Sequence, residues 1–284
     1  MATVRELSAP YENFMLCPRP GPGVCPRCFN FTDGYQYCYA CTRQPNVIDV
    51  LAPISYSVGH EQLHHALASY KRLPATVGRR LSIQLAAVMW RYLVGHETCI
   101  AQAAGAAAFP IVTTVPSGDL LRGDGHPLRW IVAEVVGPTR DRYRELLKRS
   151  GLQVPARSFA HEKYESAEQL SGQPVLLIDD TWTTGANAQS AAAALKAAGA
   201  GVVAALVIGR HVNRDWHHND QRLRALPRFE WGECALCLGR ELVSRRPVEP
   251  SPERSVAPSL ERPVAPSLEP RPVAPSFEPR SAPV

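Results

Sequence analysis

The block "PVLLIDDTWTTGANAQSAAAALKAAGAGVVAALVIGR", Pro174 to Arg210, constrains the fold more than any other stretch. Its two apolar runs, "VLLI" and "VVAALVI", show no polar alternation, so each has to be buried on both faces. Between them "ANAQSAAAALKAAG" is a strong helix former, closed by Gly199. Two buried strands joined by a helix of this length form a parallel crossover unit. "FPIVTTVPS", Phe109 to Ser117, adds a β-branched strand bounded by prolines, and residues 46–110 read as a strand followed by helices. "HPLRWIVAEVV" and "TRDRYRELLKRSG" read as further helices, the second closed by Gly151. "LQVPARSFA" reads as a weaker strand that Pro155 interrupts. The expected class is α/β, a central parallel sheet flanked by helices, with ligands at the carboxyl ends of the strands.

The chain has 284 residues, enough for one substantial core plus extras, and a net charge of +5, which suits an anionic small molecule or a nucleic acid without choosing between them. No apolar run approaches the length of a membrane span, and "MATVRELSAPYENFML" lacks the layout of a secretory signal, so a cytoplasmic location is the expectation. In that reducing setting eight cysteines argue for metal binding or free thiols over disulfides. Composition sets the domains: a Cys-rich module at 1–45, an α/β domain at 46–244 and a Pro-rich tail at 245–284. In the tail "VAPS" recurs at Val256, Val264 and Val273. So many prolines and so few apolar residues predict an extended, disordered segment of polyproline II character, either a solvated appendage or a dock for a proline-recognising partner.

Asp179 and Asp180 stand at the carboxyl end of the "VLLI" strand, followed by Thr-Trp-Thr-Thr-Gly and the Ala-rich helix. Adjacent side chains on a strand point to opposite faces, so the pair can share a ligand only if the strand ends at them. Thr183 and Thr184 bring hydroxyls, Gly185 allows close backbone approach, and the helix start at Ala186 and Asn187 presents free N–H groups to an anion. Carboxylates fit hydroxyls or a cation beside that anion, which together suggest a sugar phosphate. A second anion site would form at "TTVPSG", with Ser117, Gly118 and the nearby Arg122. Lys71, Arg157 and Lys163 are further basic candidates, although local sequence alone reads each as a solvated surface charge.

"CPRC" and "CYAC" place Cys25, Cys28, Cys38 and Cys41 in the paired spacing of a structural Zn²⁺ site. Cys17 falls outside that spacing and Cys99 reads as core. Cys234 and Cys237 of "CALC" could join the N-terminal module, form a half-site with His217 or His218, or remain free thiols. "HEQLH", His60 to His64, matches the zinc-protease pattern His-Glu-x-x-His but lacks its extension, so it reads as a solvated helix face.

"VLLIDDTWTTGAN" resembles the phosphoribosyl pyrophosphate (PRPP) signature of type I phosphoribosyltransferases. Cysteine pairs placed before "ISYSVGHEQLHHALASYKRLP", "TTVPS" and that signature resemble the ComF-type (competence protein F-like) members, over roughly residues 20–210. The resemblance implies the type I phosphoribosyltransferase fold. It implies that Asp179 and Asp180 contact the ribose hydroxyls and support an oxocarbenium-like transition state, and that Thr183 to Asn187 hold the 5′-phosphate. Ser117, Gly118, Arg122 and Lys71 would serve the pyrophosphate, and Mg²⁺ would bridge sugar and pyrophosphate. Asn187 replaces a more usual threonine but keeps a donor. Where these proteins usually carry Arg-Gly-Phe-Asn, this chain has "RGDGHP", so the acceptor side departs from the pattern. Two functions stay open: transfer of a phosphoribosyl group to an unknown nitrogen acceptor, or non-catalytic PRPP or nucleotide binding in DNA uptake or nucleotide sensing. In the second, the zinc module would meet nucleic acid or a protein partner. The glutamine-dependent amidophosphoribosyltransferases would need a large glutaminase domain with an N-terminal cysteine nucleophile, whereas here Ala2 follows Met1, and a short Cys-rich module occupies the space.

Overall fold

The computed structural model describes residues 2–117 and 126–244; Gly118, Arg122 and the 245–284 tail lie outside the described residues. A short helix α1 (Val4–Ser8) starts behind a reciprocal Thr3/Glu6 capping box. The Cys-rich segment follows, with α2 (Tyr39–Arg43) at its end. The sheet begins with β1 (Val50–Val58), and α3 (Gln62–Ser69) and α4 (Ala75–Ala103) carry the chain to β2 (Ile111–Thr114). Next come α5 (Pro127–Trp130), which runs on as a π-helical turn over Ile131–Val135, α6 (Gly137–Arg140), and the hairpin of β3 (Leu147–Arg149) and β4 (Tyr164–Ser166). The central unit is β5 (Val175–Trp182), α7 (Ala186–Ala197) and β6 (Val203–Val212); α8 (Asn219–Arg224) and α9 (Ala235–Ser244) follow.

The principal sheet has four parallel strands in the order β1-β6-β5-β2, so the expected α/β class with a parallel sheet flanked by helices is present. Strand alternation splits the core in two. Leu176 and Ile178 of β5 pack with α4 residues such as Leu85 and Met89 and with Leu128 and Val132 of the α5 segment. Val175 and Leu177 pack on the other face with Ala191, Ala192 and Leu195 of α7, with Leu147 and Tyr164 of the hairpin, and with the module cysteines. Such a buried apolar side chain contributes about 1.5–3 kcal/mol. The unalternating runs of β5 and β6 are what a sheet covered on both faces requires. Gly199, at φ +94, ends α7 as the sequence indicates.

Two expected elements differ. "TRDRYRELLKRSG" is not a helix: only α6 touches its first residues, and Arg142 to Arg144 instead run beside β2. The Val112 N–H donates to the Arg142 carbonyl (3.0 Å) and the Arg144 N–H to the Val112 carbonyl (2.8 Å). Arg142 fixes this path by donating to both Glu97 carboxylate oxygens (2.6 and 2.9 Å) and to the Phe109 carbonyl (2.6 Å). Leu147 then enters β3. "LQVPARSFA" forms no strand; the paired segment is β4, beyond Pro155, where backbone donors are intact. Among the described residues no helix is long and apolar enough to cross a membrane.

Candidate functional site

Asp179 and Asp180 lie at the carboxyl edge of the sheet, but β5 does not end at them. It continues to Trp182, paired with β6 through Thr181↔Gly209 and Trp182↔Arg210. What ends is β2, whose last pair is Thr114↔Ile178, so the acids occupy the first stretch of β5 without a neighbour on that side. The ladder leaves the Asp180 N–H free, and the Asp179 carboxylate accepts it at 2.9 Å. The sequence condition for a shared ligand, that the strand end at the acids, is therefore not met; what opens beside them is the β2 edge.

The two carboxyls have different surroundings. Asp180 is buried; the Tyr70 hydroxyl donates to its Oδ2 (3.1 Å) and Lys71 Nζ lies 2.8 Å from the same oxygen. Burial works to raise its pKa, but the Lys71 charge and these hydrogen bonds outweigh burial and hold it below the ordinary value. Asp179 is pushed well above that value, by burial first and by the charge of Asp180 second. Asp180 is thus the carboxyl whose ionisation the surroundings favour and Asp179 the one whose ionisation they oppose. Lys71, expected as a solvated charge, is committed to the acidic pair. Tyr164 completes the edge: its hydroxyl donates to the Pro116 carbonyl (3.5 Å), one residue before Ser117.

Thr183 and Thr184 form a bend between β5 and α7, with Gly185 as N-cap at φ +83. A Cβ at Gly185 would stand 2.2 Å from the Trp182 ring, so glycine is required both by conformation and by the indole beneath it. No side chain caps α7 at Gly185; the Thr184 hydroxyl accepts the Ala186 N–H at a long 3.4 Å. The first-turn N–H groups stay available to an anion, with Asn187 exposed beside them.

Arg210, buried in β6, holds this bend from below. Its guanidinium donates to the carbonyls of Trp182 (3.2 Å), Thr183 (3.3 Å) and His211, while its Nε donates to the Cys28 carbonyl (2.8 Å). Cys28 belongs to the expected cluster: the sulfurs of Cys25, Cys28, Cys38 and Cys41 all lie within 4.8 Å of one another, and all four residues are buried. This set could hold a metal ion, and four converging thiols suit structural Zn²⁺. The Cys25 thiol is acidified by hydrogen bonds from Cys28, Cys38 and Cys41. A turn builds each half: the Phe29 N–H returns to the Cys25 carbonyl (2.9 Å) with Phe29 at φ +58, and Cys38 caps α2, which carries Cys41. Arg210 Nη2 sits 3.4 Å from Cys28 Sγ, a cation beside the sulfur cluster. The Tyr56 hydroxyl of β1 donates to the Phe29 carbonyl (2.6 Å), and Gln189 of α7 accepts the N–H groups of Val47 and Ile48 (2.8 and 3.0 Å).

Other candidates separate. Lys163 is buried, contrary to its expected solvation, and donates to the Ser158 carbonyl (3.2 Å); Arg157 is exposed. His60 and Glu61 precede α3, Glu61 pairs with Arg214, and His64 stacks near His211 with ring centroids 5.2 Å apart. "HEQLH" is therefore neither a zinc-protease helix nor one solvated face. Cys234 and Cys237 approach His96 and Cys99, whereas His217 faces Asp33 at 3.7 Å. Sequence reasoning missed Tyr70, Tyr164 and Arg210; of these only Arg210, a charge at the end of an apolar run, carries a local signal.

No family model matches this chain, and no curated protein matches it significantly.

Proposed function

We propose that the protein binds PRPP at the carboxyl edge of β5 and transfers its phosphoribosyl group to a nitrogen acceptor with release of pyrophosphate, on a type I phosphoribosyltransferase fold. The observation that carries this reading is the polarised acid pair, Asp180 held by Lys71 and Tyr70 beside Asp179, immediately before an uncapped helix N-terminus. An anion site and a carboxylate site in tandem match a phosphate and a ring bearing hydroxyls. In the step itself the bond from the anomeric carbon to the pyrophosphate oxygen breaks, the bond to nitrogen forms, and the nitrogen loses a proton. Positive charge develops on the sugar between these events, and a preorganised carboxylate pair lowers its energy. Mg²⁺ bound to the substrate would supply charge neutralisation of the pyrophosphate; Asp180, engaged by Lys71 and Tyr70, is not assigned to it. Thr183 to Asn187 take the 5′-phosphate, and the segment from Ser117 onward takes the pyrophosphate. The structural role of the four-cysteine cluster is to brace the phosphate bend through Arg210.

Calorimetry with Mg²⁺–PRPP on the full chain tests the site. Wild type is expected to bind, and a D179N/D180N variant that keeps its far-ultraviolet circular dichroism to bind at least about tenfold more weakly, as loss of charge-assisted hydrogen bonds implies. Equal affinity would sink the assignment. Pyrophosphate release across a panel of bases and amines then reads turnover; binding with no release for any acceptor would favour the non-catalytic alternative.

A further inference from the structure

We propose that His96, Cys99, Cys234 and Cys237 form a second, structural metal site, with three thiolates and one imidazole and selective for Zn²⁺, that fastens α9 to α4. The four ligand atoms lie within 4.8 Å of one another, and His96 and Cys234 are buried. In a tetrahedral Zn²⁺ site with bonds of about 2.0–2.3 Å the ligand atoms stand about 3.3–3.8 Å apart, so closure needs small rotations of side chains already gathered. The set is assembled from two remote places. His96 and Cys99 are three residues apart on one face of α4, and Cys234 and Cys237 flank the first turn of α9.

Features beyond proximity point to a cation. His96 Nε2 is 2.9 Å from the Trp231 carbonyl, a contact that requires the proton on Nε2 and leaves the Nδ1 lone pair turned toward Cys99, 3.9 Å away. Metal-bound imidazoles are oriented by this kind of outer hydrogen bond. The "CALC" turn gathers its two sulfurs, which accept backbone protons, Cys234 N–H to Cys237 Sγ (3.1 Å) and Cys237 N–H to Cys234 Sγ (3.3 Å). The Tyr92 hydroxyl is wholly buried beside Cys234 and makes no well-formed hydrogen bond, so it can donate to a sulfur of the cluster. Cys17 also lies nearby, but its thiol is directed to the carbonyls of Pro18 and Glu233. A hydrophobic contact of Leu236 and Leu238 with the main core accompanies the cluster, so the metal would staple an element already seated there. Four protein ligands leave no open position, which makes the role structural.

Metal analysis of the full chain, purified in reductant and dialysed against excess Zn²⁺, tests this. The Cys237→Ser variant, and separately Cys99→Ser, is expected to lose one equivalent of Zn²⁺, while Cys25→Ser retains that equivalent and loses the one bound at the N-terminal cluster. On wild type, Co²⁺ titration is expected to give two thiolate-to-metal absorption components, of which Cys237→Ser removes one. Zn²⁺ content unchanged by both α4 and α9 variants would overturn the proposal. So would a Cys234–Cys237 disulfide in wild type isolated under reducing conditions.

Discussion

Asp179 and Asp180 are chain neighbours whose replacement by asparagine has opposite expected effects. Asp180→Asn leaves Lys71 and Tyr70 without their anionic acceptor and is expected to lower stability at pH 7 by about 1–3 kcal/mol. Asp179→Asn removes a carboxylate that the fold disfavours and is expected to raise stability by about 0.5–2 kcal/mol, as replacements at strained functional positions do. Urea melts from pH 3 to pH 8 separate the two. The folded pKa of Asp179 lies above its unfolded value, so the unfolded chain releases its proton first. Stability therefore falls as pH rises from about 4, and this fall is absent in Asp179→Asn. Asp180 has the reverse sign: its contribution is present above about 4 and disappears as pH drops through its lowered folded value. Equal destabilisation by both variants at pH 7 would contradict the polarised pair. The acids themselves were legible because charge at the end of a buried run demands a use. Their aromatic neighbours were not: Tyr70 and Tyr164 look like ordinary core aromatics, and only the fold brings them to the edge.

At the scale of elements, the bend between β5 and α7 is set by one steric relation, Gly185 above the Trp182 indole. Gly185→Ala meets that ring and also places a Cβ at φ +83, the second effect alone costing about 1–2 kcal/mol. Trp182→Ala removes the obstacle but opens a cavity worth about 3–5 kcal/mol. The double variant is therefore expected to be less destabilised than the sum of the singles, by about 1 kcal/mol or more in a denaturation cycle. Strict additivity would show that the ring does not support the bend. The same scale explains which elements the sequence revealed. β5, α7 and β6 follow from continuous apolar runs and a glycine stop, signals that no neighbour can override. The spacing of Tyr143, Leu146 and Leu147 imitates a helix face, but Val112 offers Arg142 and Arg144 a backbone ladder and Arg142 locks it onto Glu97. Periodicity records which side chains are buried, and a strand edge can bury the same set.

Across the whole molecule, Arg210 joins two regions that composition separates, the Cys-rich module and the phosphate bend. Its fork reaches the Cys28 carbonyl on one side and the Trp182 and Thr183 carbonyls on the other, and it stands beside Cys28 Sγ as counter-charge to the cluster. A lysine keeps the charge but has a single point of attachment, so it cannot satisfy both sides at once. If the module braces the bend, damage to either end of this link must show at the other. Arg210→Lys is expected to keep Zn²⁺ at the N-terminal cysteine cluster yet weaken Mg²⁺–PRPP binding by about tenfold, the cost of one or two charge-assisted hydrogen bonds. Cys28→Ser is expected to weaken PRPP binding similarly, although no atom of Cys28 belongs to the proposed ligand site. The decisive quantity is their combination: with Arg210→Lys already present, Cys28→Ser is expected to add little further loss, because the path between module and bend is already cut. Losses that simply multiply would mean that the cysteine module and the phosphate bend act independently. The module would then stabilise the chain without tuning the site.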